Sequence, residues 1–254
     1  RQEYSDNILM AVENEEDDFI TTATAGLVYR KDSERTDAHL DGNIRHLLYI
    51  DNDQLDSTDG EIDAGWEHRA TERLTLGANG SFREDSRRDQ DATTTGLFVS
   101  GDREQYDLET SIGYMMTEVT SGNVTLSYDN DQIDETDNEE ERDSYGINLA
   151  ITRNMSRTFA NTTGLLNFTY NRYLTDLTDV NGSITTLREF DSDVYQAYTG
   201  FSRQVSELYS VYLQAGISYT DSEESRTISI GSARADIPVD DTSRWGGVLL
   251  GGVN

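Results

Sequence analysis

Residues 208–219 read LYSVYLQAGISY, and this stretch decides the fold class. Tyr209, Val211 and Leu213 alternate with smaller or polar residues such as Gln214. Because successive side chains of a β-strand point to opposite faces, this period of two predicts a two-faced strand. The same alternation recurs along the chain and predicts about twelve strands, which lie roughly at 4–12, 19–30, 37–49, 60–69, 73–83, 102–116, 121–130, 142–153, 158–173, 189–204, 207–220 and 243–254.

The connections between these strands alternate in length. Short turns are predicted near Lys31–Thr36, Ala70–Glu72, Thr117–Thr120, Asn154–Arg157 and Val205–Ser206. Longer acidic loops are predicted at 13–18, 50–59, 84–101, 131–141, 174–188 and 221–242. Short turns at one rim and long loops at the other are typical of outer-membrane barrels, whose tilted strands need about 9–11 residues to cross the hydrocarbon core. The sequence therefore predicts one all-β domain over 1–254: an antiparallel transmembrane β-barrel of about 12 strands, with short periplasmic turns and long acidic extracellular loops.

Composition excludes several other classes of protein. The 254 residues carry 49 acidic and 20 basic side chains, a formal net charge of −29. Nucleic acid is therefore not an expected partner, because phosphate binding needs clustered Lys and Arg. No apolar run approaches the roughly 18 residues of a spanning helix. The absence of cysteine removes disulfide frameworks and thiolate metal sites.

A soluble β-sandwich or lipocalin-like barrel is the alternative fold, since both also alternate and an acidic surface is found in halophilic proteins. In a soluble protein, however, the apolar face must fill a dry core. Here that face is thin and interrupted by Thr, Ala and Gly, whereas the opposite face is rich in amides and hydroxyls. This pattern favours a barrel whose outer face contacts lipid and whose inner face contacts water.

The alternation assigns one set of side chains to the lumen. Amides and hydroxyls both donate and accept hydrogen bonds, which suits a hydrated, uncharged polyol, whereas an acidic sector favours cations. Any water-filled barrel also has a polar interior, and Asp41 with Arg45 is alternatively an ion pair of the wall. The predicted pore-lining residues are Asp41, Arg45, Asp63, Glu67, Asp107, Glu109, Asn148, Asn161, Asn167, Gln196 and Gln214.

Tyrosines lie at both ends of the apolar faces. Rings of aromatic residues at the two membrane interfaces are typical of transmembrane barrels. The predicted aromatic girdle residues are Tyr106, Tyr114, Tyr128, Tyr145, Tyr209 and Tyr219.

An internal repeat relates residues 51–59 to residues 129–137, which read DNDQLDSTD and DNDQIDETD. Each copy follows a strand that ends in tyrosine. Duplication of a hairpin explains the repeat, and weak Ca²⁺ binding by clustered carboxylates is the functional alternative. Leu55 and Ile133 occupy the fifth positions, where an EF-hand loop needs an oxygen ligand. The predicted weak calcium ligands are Asp51, Asp53, Asp56, Asp129, Asp131 and Asp134.

No motif for catalysis is present. The chain has no P-loop, dinucleotide fingerprint, HExxH or GxSxG sequence. His39, His46 and His68 lie within alternating strands and have no triad-like neighbours, so lumen or girdle positions are expected for them. We therefore expect no enzyme activity, no catalytic residue and no cofactor other than a loop-bound Ca²⁺. An outer-membrane esterase or protease is the alternative, because such a site assembles in space rather than in sequence.

The opening of the chain resembles a known family. Tyr4-Ser5-Asp6-Asn7-Ile8, followed by Asp17-Asp18-Phe19-Ile20-Thr21-Thr22, is similar to the entry into the repeated hairpins of the β-barrel porin 2 family, which includes EpsL-type outer-membrane proteins associated with exopolysaccharide clusters. The resemblance implies an outer-membrane barrel that serves polysaccharide export with periplasmic machinery. Members of that family are longer, and this chain ends at 251–254 without the usual terminal aromatic. We therefore expect either part of a larger barrel of 16–18 strands or an atypical last strand.

Three functions follow as hypotheses. The leading one is an outer-membrane channel for export or passage of a hydrophilic solute, an exopolysaccharide above all, in a Gram-negative bacterium. The second is a structural or adhesive barrel whose acidic loops bind cations or partners. The third is a barrel scaffold that encloses a partner protein. The expected partners are outer-membrane lipid and lipopolysaccharide, a polysaccharide or small hydrophilic solute, and periplasmic export machinery.

Overall fold

The computed structural model describes residues 1–5, 17–86, 101–135, 138–206, 209–230, 233–238 and 241–253. These residues form one antiparallel sheet of 13 strands. The strands are β1 (Gln2–Ser5), β2 (Asp18–Asp32), β3 (Thr36–Tyr49), β4 (Ser57–Arg69), β5 (Leu74–Asp85), β6 (Gly101–Thr117), β7 (Thr120–Glu135), β8 (Asn138–Asn154), β9 (Thr162–Asn181), β10 (Ile184–Gln204), β11 (Ser210–Ile230), β12 (Ala233–Pro238) and β13 (Thr242–Val253). The all-β antiparallel prediction is confirmed.

The topology is a continuous meander in which each strand from β1 to β12 pairs with the next one along the chain. The last strand, β13, pairs with the first part of β11, Val211–Ser222, whereas β12 pairs with the last part, Ser225–Ile230. Within the described residues β1 and β13 do not pair with each other, so the sheet is open. The one helical element in the described part of the chain is a 3-10 turn at Asp53–Leu55. No helix among the described residues is long and apolar enough to cross a membrane.

Three predicted loops are wrong, because the chain continues as strand through most of 131–141, 174–188 and 221–242. The β9–β10 hairpin, for example, turns within two residues at Gly182, whose φ of 63° favours glycine. Residues 221–242 contribute the additional strand β12, which raises the count to 13. The predicted loops at 84–101 and 13–18 lie mainly outside the described residues. The acidic composition of the three segments that form strands suggested loops. Charged residues are nevertheless tolerated in a β-ribbon whose two faces both contact water.

The exposure of the side chains alternates in the opposite sense to that of a soluble protein. Along β8, the apolar residues Tyr145, Ile147 and Leu149 are exposed, whereas Asn148 and Thr152 on the other face are half-buried. Ile133 is the one buried hydrophobic side chain in the described part of the chain. The accessible surface is 17352 Å², compared with about 11,000 Å² for a compact globular chain of this length. The apolar face is therefore uncovered by protein, and the polar face is the more enclosed one.

Candidate functional site

The polar face of the sheet is the candidate functional surface. The cross-strand register places ten of the eleven predicted pore-lining residues on this face. The exception is Asn161, which lies in the turn before β9 with a φ of 52°, a conformation that asparagine tolerates. Its predicted place on a strand face is wrong. The ten that share the face are Asp41, Arg45, Asp63, Glu67, Asp107, Glu109, Asn148, Asn167, Gln196 and Gln214.

One half of this face is acidic. In β3–β7 the register aligns five residues in a single row across the sheet, and we call this row the acidic sector. Ser81, at the centre of the row, donates a hydrogen bond to Asp107 Oδ2 at 2.7 Å. Carboxylates at one level repel one another and attract cations, as charged rings do in selective pores. The acidic sector consists of Asp41, Asp63, Ser81, Asp107 and Asp129.

The arginines of this half have partners other than the predicted one. Asp41 Oδ2 lies 2.5 Å from Arg30 Nη1, and Arg45 donates from both Nε and Nη2 to Asp59 Oδ2, at 2.9 and 2.5 Å. The suggested Asp41–Arg45 wall pair is therefore wrong, because each residue reaches across to a neighbouring strand instead. Cross-strand register, which the alternation of one strand does not reveal, decides these pairings.

The other half of the polar face is neutral. Asn148 and Asn167 exchange hydrogen bonds, with Nδ2–Oδ1 distances of 3.3 Å in both directions. Thr169 Oγ1 donates to Asn167 Oδ1 at 2.9 Å, and Asn167 is 6% exposed. The amides of Asn148 and Asn167 therefore satisfy each other within the wall. We call the neutral set Asn148, Asn167, Gln196 and Gln214 the amide sector.

Two tyrosines on the polar face were missed in the sequence. Tyr198 and Tyr212 lie opposite Gly216 and Ser202 respectively, and both are half-buried on the face that carries Gln214. A Cβ at position 216 would lie 2.5 Å from Cβ of Tyr198, so glycine there lets the two strands approach closely. Because Tyr195 and Leu213 mark the apolar face, their even-numbered neighbours were already assigned to the polar face. Alternation alone could have found them.

Aromatic rings form a belt across the apolar face, and β9 and β10 extend beyond this belt toward the turn that joins them. Tyr106 packs against Phe82 at 4.9 Å, and Tyr128 packs against Tyr145 at 5.1 Å between ring centroids. The belt continues through Tyr170, Tyr195, Tyr219 and Trp245. Of the remaining predicted girdle residues, Tyr114 lies near the opposite end of β6, facing Leu74, and Tyr209 lies in the β10–β11 turn.

The two copies of the repeat adopt different structures. Residues 51–59 form the 3-10 turn and the start of β4, whereas residues 129–135 continue β7 as strand. Within the described residues, His39, Asp41 and Asp63 form the one group of three potential ligands that converges on a point. The predicted calcium ligands Asp51, Asp53, Asp56, Asp129, Asp131 and Asp134 are not part of it. Asp131 instead accepts two hydrogen bonds of 2.6 Å from Arg103. Calcium binding stays a prediction.

A buried carboxylate organises the first copy. Asp18 is 1% exposed and accepts hydrogen bonds from the backbone N–H groups of Ile50, Asp51 and Asn52, at 3.0 to 3.2 Å. Burial acts to raise the pKa of Asp18, but the hydrogen bonds from Asn52 and from the backbone outweigh it and lower the pKa. The ionised carboxylate therefore holds the backbone amides of this turn together by hydrogen bonds.

Comparison with known proteins identifies the fold. No protein-family model matches the chain, and no curated protein matches it. The structure is similar to the ferric-catecholate import receptor Fiu from E. coli K12 in its open form, with a TM-score of 0.59 and 8% sequence identity. The alignment covers 93% of this chain and 51% of that receptor, so the chain spans about half its length. This sheet has the fold of outer-membrane β-barrels.

A second solved structure is only weakly similar. BamA from Haemophilus ducreyi, lacking POTRA domains 1–3, aligns over the whole chain and 75% of its own length, at 7% identity and a TM-score of only 0.29.

Proposed function

We propose that this protein is an outer-membrane channel for the export or passage of a hydrophilic solute, with an exopolysaccharide as its main substrate. The observation that carries the proposal is the inverted exposure of the sheet. Its apolar side chains are uncovered, as required against lipid, and its polar face is the more enclosed one, above all in β8–β11. A polar, concave wall inside a lipid-facing barrel is the arrangement of a water-filled channel.

The two halves of the wall support this solute class in different ways. The amide sector and the nearby Tyr198 and Tyr212 combine hydrogen-bonding groups with aromatic faces, which suit the hydroxyls and the apolar faces of sugar rings. The acidic sector favours cations over anions at the same level of the lumen. The proposal assigns no catalytic residue to the chain, and its partners are lipid, lipopolysaccharide and periplasmic export components.

The test is single-channel conductance of the full-length protein in a planar bilayer, with and without a neutral oligosaccharide. We expect a stable cation-favouring conductance that the sugar blocks. The substitution Tyr212→Ala should weaken the block by about tenfold, the scale of one aromatic contact. Its control is Leu213→Ala, the adjacent residue on the apolar face, which should leave the block unchanged. A folded barrel that conducts no ions contradicts the proposal and favours a lumen filled by a partner protein.

A structural or adhesive barrel is the second candidate, and the strand extension favours it. Strands β9 and β10 continue about 11 residues past Tyr170 and Tyr195, which is roughly 35 Å of ribbon beyond the aromatic belt. Replacing the carboxylates of 51–59 and 129–137 with amides separates the two functions. Loss of surface binding with unchanged conductance supports adhesion, whereas altered ion selectivity with unchanged binding supports the channel.

A further inference from the structure

A histidine and two aspartates converge on the polar face of β3 and β4. His39 Nε2 lies 2.8 Å from Asp63 Oδ1, and the ligand atoms of His39, Asp41 and Asp63 all lie within 4.8 Å of one another. Their side chains are 38%, 35% and 48% exposed, so water and ions reach them from the polar side of the sheet. The three residues belong to no aligned repeat or motif of the sequence.

The fold positions the imidazole ring of His39 over a glycine. A Cβ at position 65 would overlap Cε1 of His39 and would lie 2.7 Å from its Nδ1 and 2.8 Å from Asn79 Oδ1. The ring therefore occupies the space that a side chain at position 65 would fill. Its Nε2 points to the carboxylates and lies 2.8 Å from Asp63 Oδ1. Because an ionised carboxylate only accepts, Nε2 donates to Asp63 Oδ1, and a metal bound at Nε2 would displace this proton.

The other two histidines have a different environment. His46 and His68 each pair through Nδ1 with a threonine hydroxyl at 2.8 Å, Thr58 and Thr36 respectively. Both lie on the apolar face, because they follow the even-numbered register of β3 and β4. His39 alone of the three faces carboxylates. The convergence is therefore specific to one position rather than a general property of histidines in this sheet.

We propose that His39, Asp41 and Asp63 bind a divalent transition-metal ion, of which Zn²⁺ is the best-suited example. One imidazole and two carboxylates suit the borderline ions Zn²⁺, Co²⁺ and Ni²⁺, whereas Ca²⁺ and Mg²⁺ prefer oxygen ligands alone. Three protein ligands leave a coordination position open to water or to a passing solute. The ion enters between Nε2 and Asp63 Oδ1, which must separate slightly to reach metal–ligand distances of about 2.0–2.2 Å.

Arg30 sets the charge of this metal site. Its Nη1 contacts Asp41 Oδ2, so Asp41 offers the metal its other oxygen, Oδ1, while the ion pair stays in place. With a neutral His39, these four residues carry a net charge of −1, and a bound divalent ion brings it to +1. Asp107 and Asp129 in the same row provide further negative potential. The acidic sector thus supplies the field, and His39 supplies the selectivity for a transition metal over Ca²⁺.

The test is calorimetric titration of Zn²⁺ into the full-length protein folded in detergent, in the presence of excess Ca²⁺ to fill weak acidic sites. We expect one site that survives Ca²⁺, and we expect His39→Asn and Asp63→Asn each to weaken it at least about tenfold. Asp107→Asn is the matched control, since it removes a carboxylate from the same row outside the cluster and should change the affinity less than about threefold. Equal affinity in the wild type, His39→Asn and Asp63→Asn overturns the proposal.

A fourth variant protects this test against misfolding. Gly65→Ala keeps all three ligands but places a methyl group where the His39 ring lies, so it should also weaken Zn²⁺ binding by at least about tenfold. Folding of every variant is checked by its heat-dependent mobility in gels. A folded Gly65→Ala protein with wild-type Zn²⁺ affinity contradicts the ring position on which the metal site depends. Binding in detergent needs no open pore, so a barrel that conducts no ions leaves this test intact.

Discussion

The acidic sector and the amide sector occupy the same face of one sheet, yet their side chains are satisfied in different ways. Carboxylates such as Asp41 and Asp63 are each about one-third to one-half exposed and take a cationic or imidazole partner from a neighbouring strand. Asn148 and Asn167 instead bond to each other, and Asn167 is buried. The comparison teaches that the carboxylates at Asp41 and Asp63 depend on charged or imidazole partners, whereas the amides of Asn148 and Asn167 satisfy each other within the wall.

The largest effect on stability is expected in the amide sector. Asn167→Ala removes both hydrogen bonds to Asn148. Asn148 Nδ2 keeps Thr169 Oγ1 as an acceptor, but the half-buried Oδ1 of Asn148 loses its donor, which should lower the free energy of unfolding by about 1–3 kcal/mol. The matched change in the acidic sector, Asp63→Asn, should alter it by less than about 0.5 kcal/mol. Denaturant unfolding from lipid vesicles measures both values. Equal losses in the two variants would remove the distinction between the sectors.

The acidic sector should instead control ion selectivity. Changing its four aspartates together to asparagine should bring the ratio of cation to anion permeability down to about one, because the row of negative charge disappears. Reversal potentials in a salt gradient measure this ratio. Asp221→Asn with Glu223→Gln, on the opposite face of β11, is the control and should leave the ratio unchanged. An unaltered ratio in the fourfold variant would show that ions do not pass along this face.

The smallest effect is local and concerns the turn that follows β3. Asp18→Asn should speed hydrogen exchange at the amides of Ile50, Asp51 and Asn52 by a few-fold, because an amide offers one acceptor oxygen in place of two. Hydrogen-exchange rates in the acidic sector and in the amide sector should stay unchanged.

Acid should have the same effect on this turn in the unaltered protein. The pKa of Asp18 is lowered in the folded state, so its stabilisation is fully present above about pH 4 and is lost as the pH falls through the folded pKa. Exchange rates at these amides that stay constant from pH 5 to pH 2, after correction for intrinsic exchange, would contradict this role.

Alternation along single strands predicted much of this structure. A period of two assigns each side chain to a face without reference to any neighbour, and ten of the eleven proposed wall residues share the predicted face of the sheet. Asn161 failed because a turn with positive φ interrupts the alternation before β9. The short turns at one rim were predictable for the same reason, since the alternation stops at each of them.

Contacts between strands were not predictable in this way. The register that brings His39 to Asp63, and Arg45 to Asp59, is fixed by the pairing of β3 with β4. The repeat shows the same limit, because two nearly identical segments form a turn in one place and a strand in the other. Asp18, far away in sequence, gathers the backbone of the first copy, whereas Arg103 on a neighbouring strand pairs with the second.

The most direct test of the account is which face of the sheet meets water in a membrane. The chain contains no cysteine, so Ser111→Cys on the polar face and Ile112→Cys on the apolar face each introduce a single thiol. Each variant of the full-length protein is placed in lipid vesicles and exposed to a charged, water-soluble thiol reagent. We predict rapid labelling at position 111 and protection at position 112. Rapid labelling at 112 with protection at 111 would contradict it.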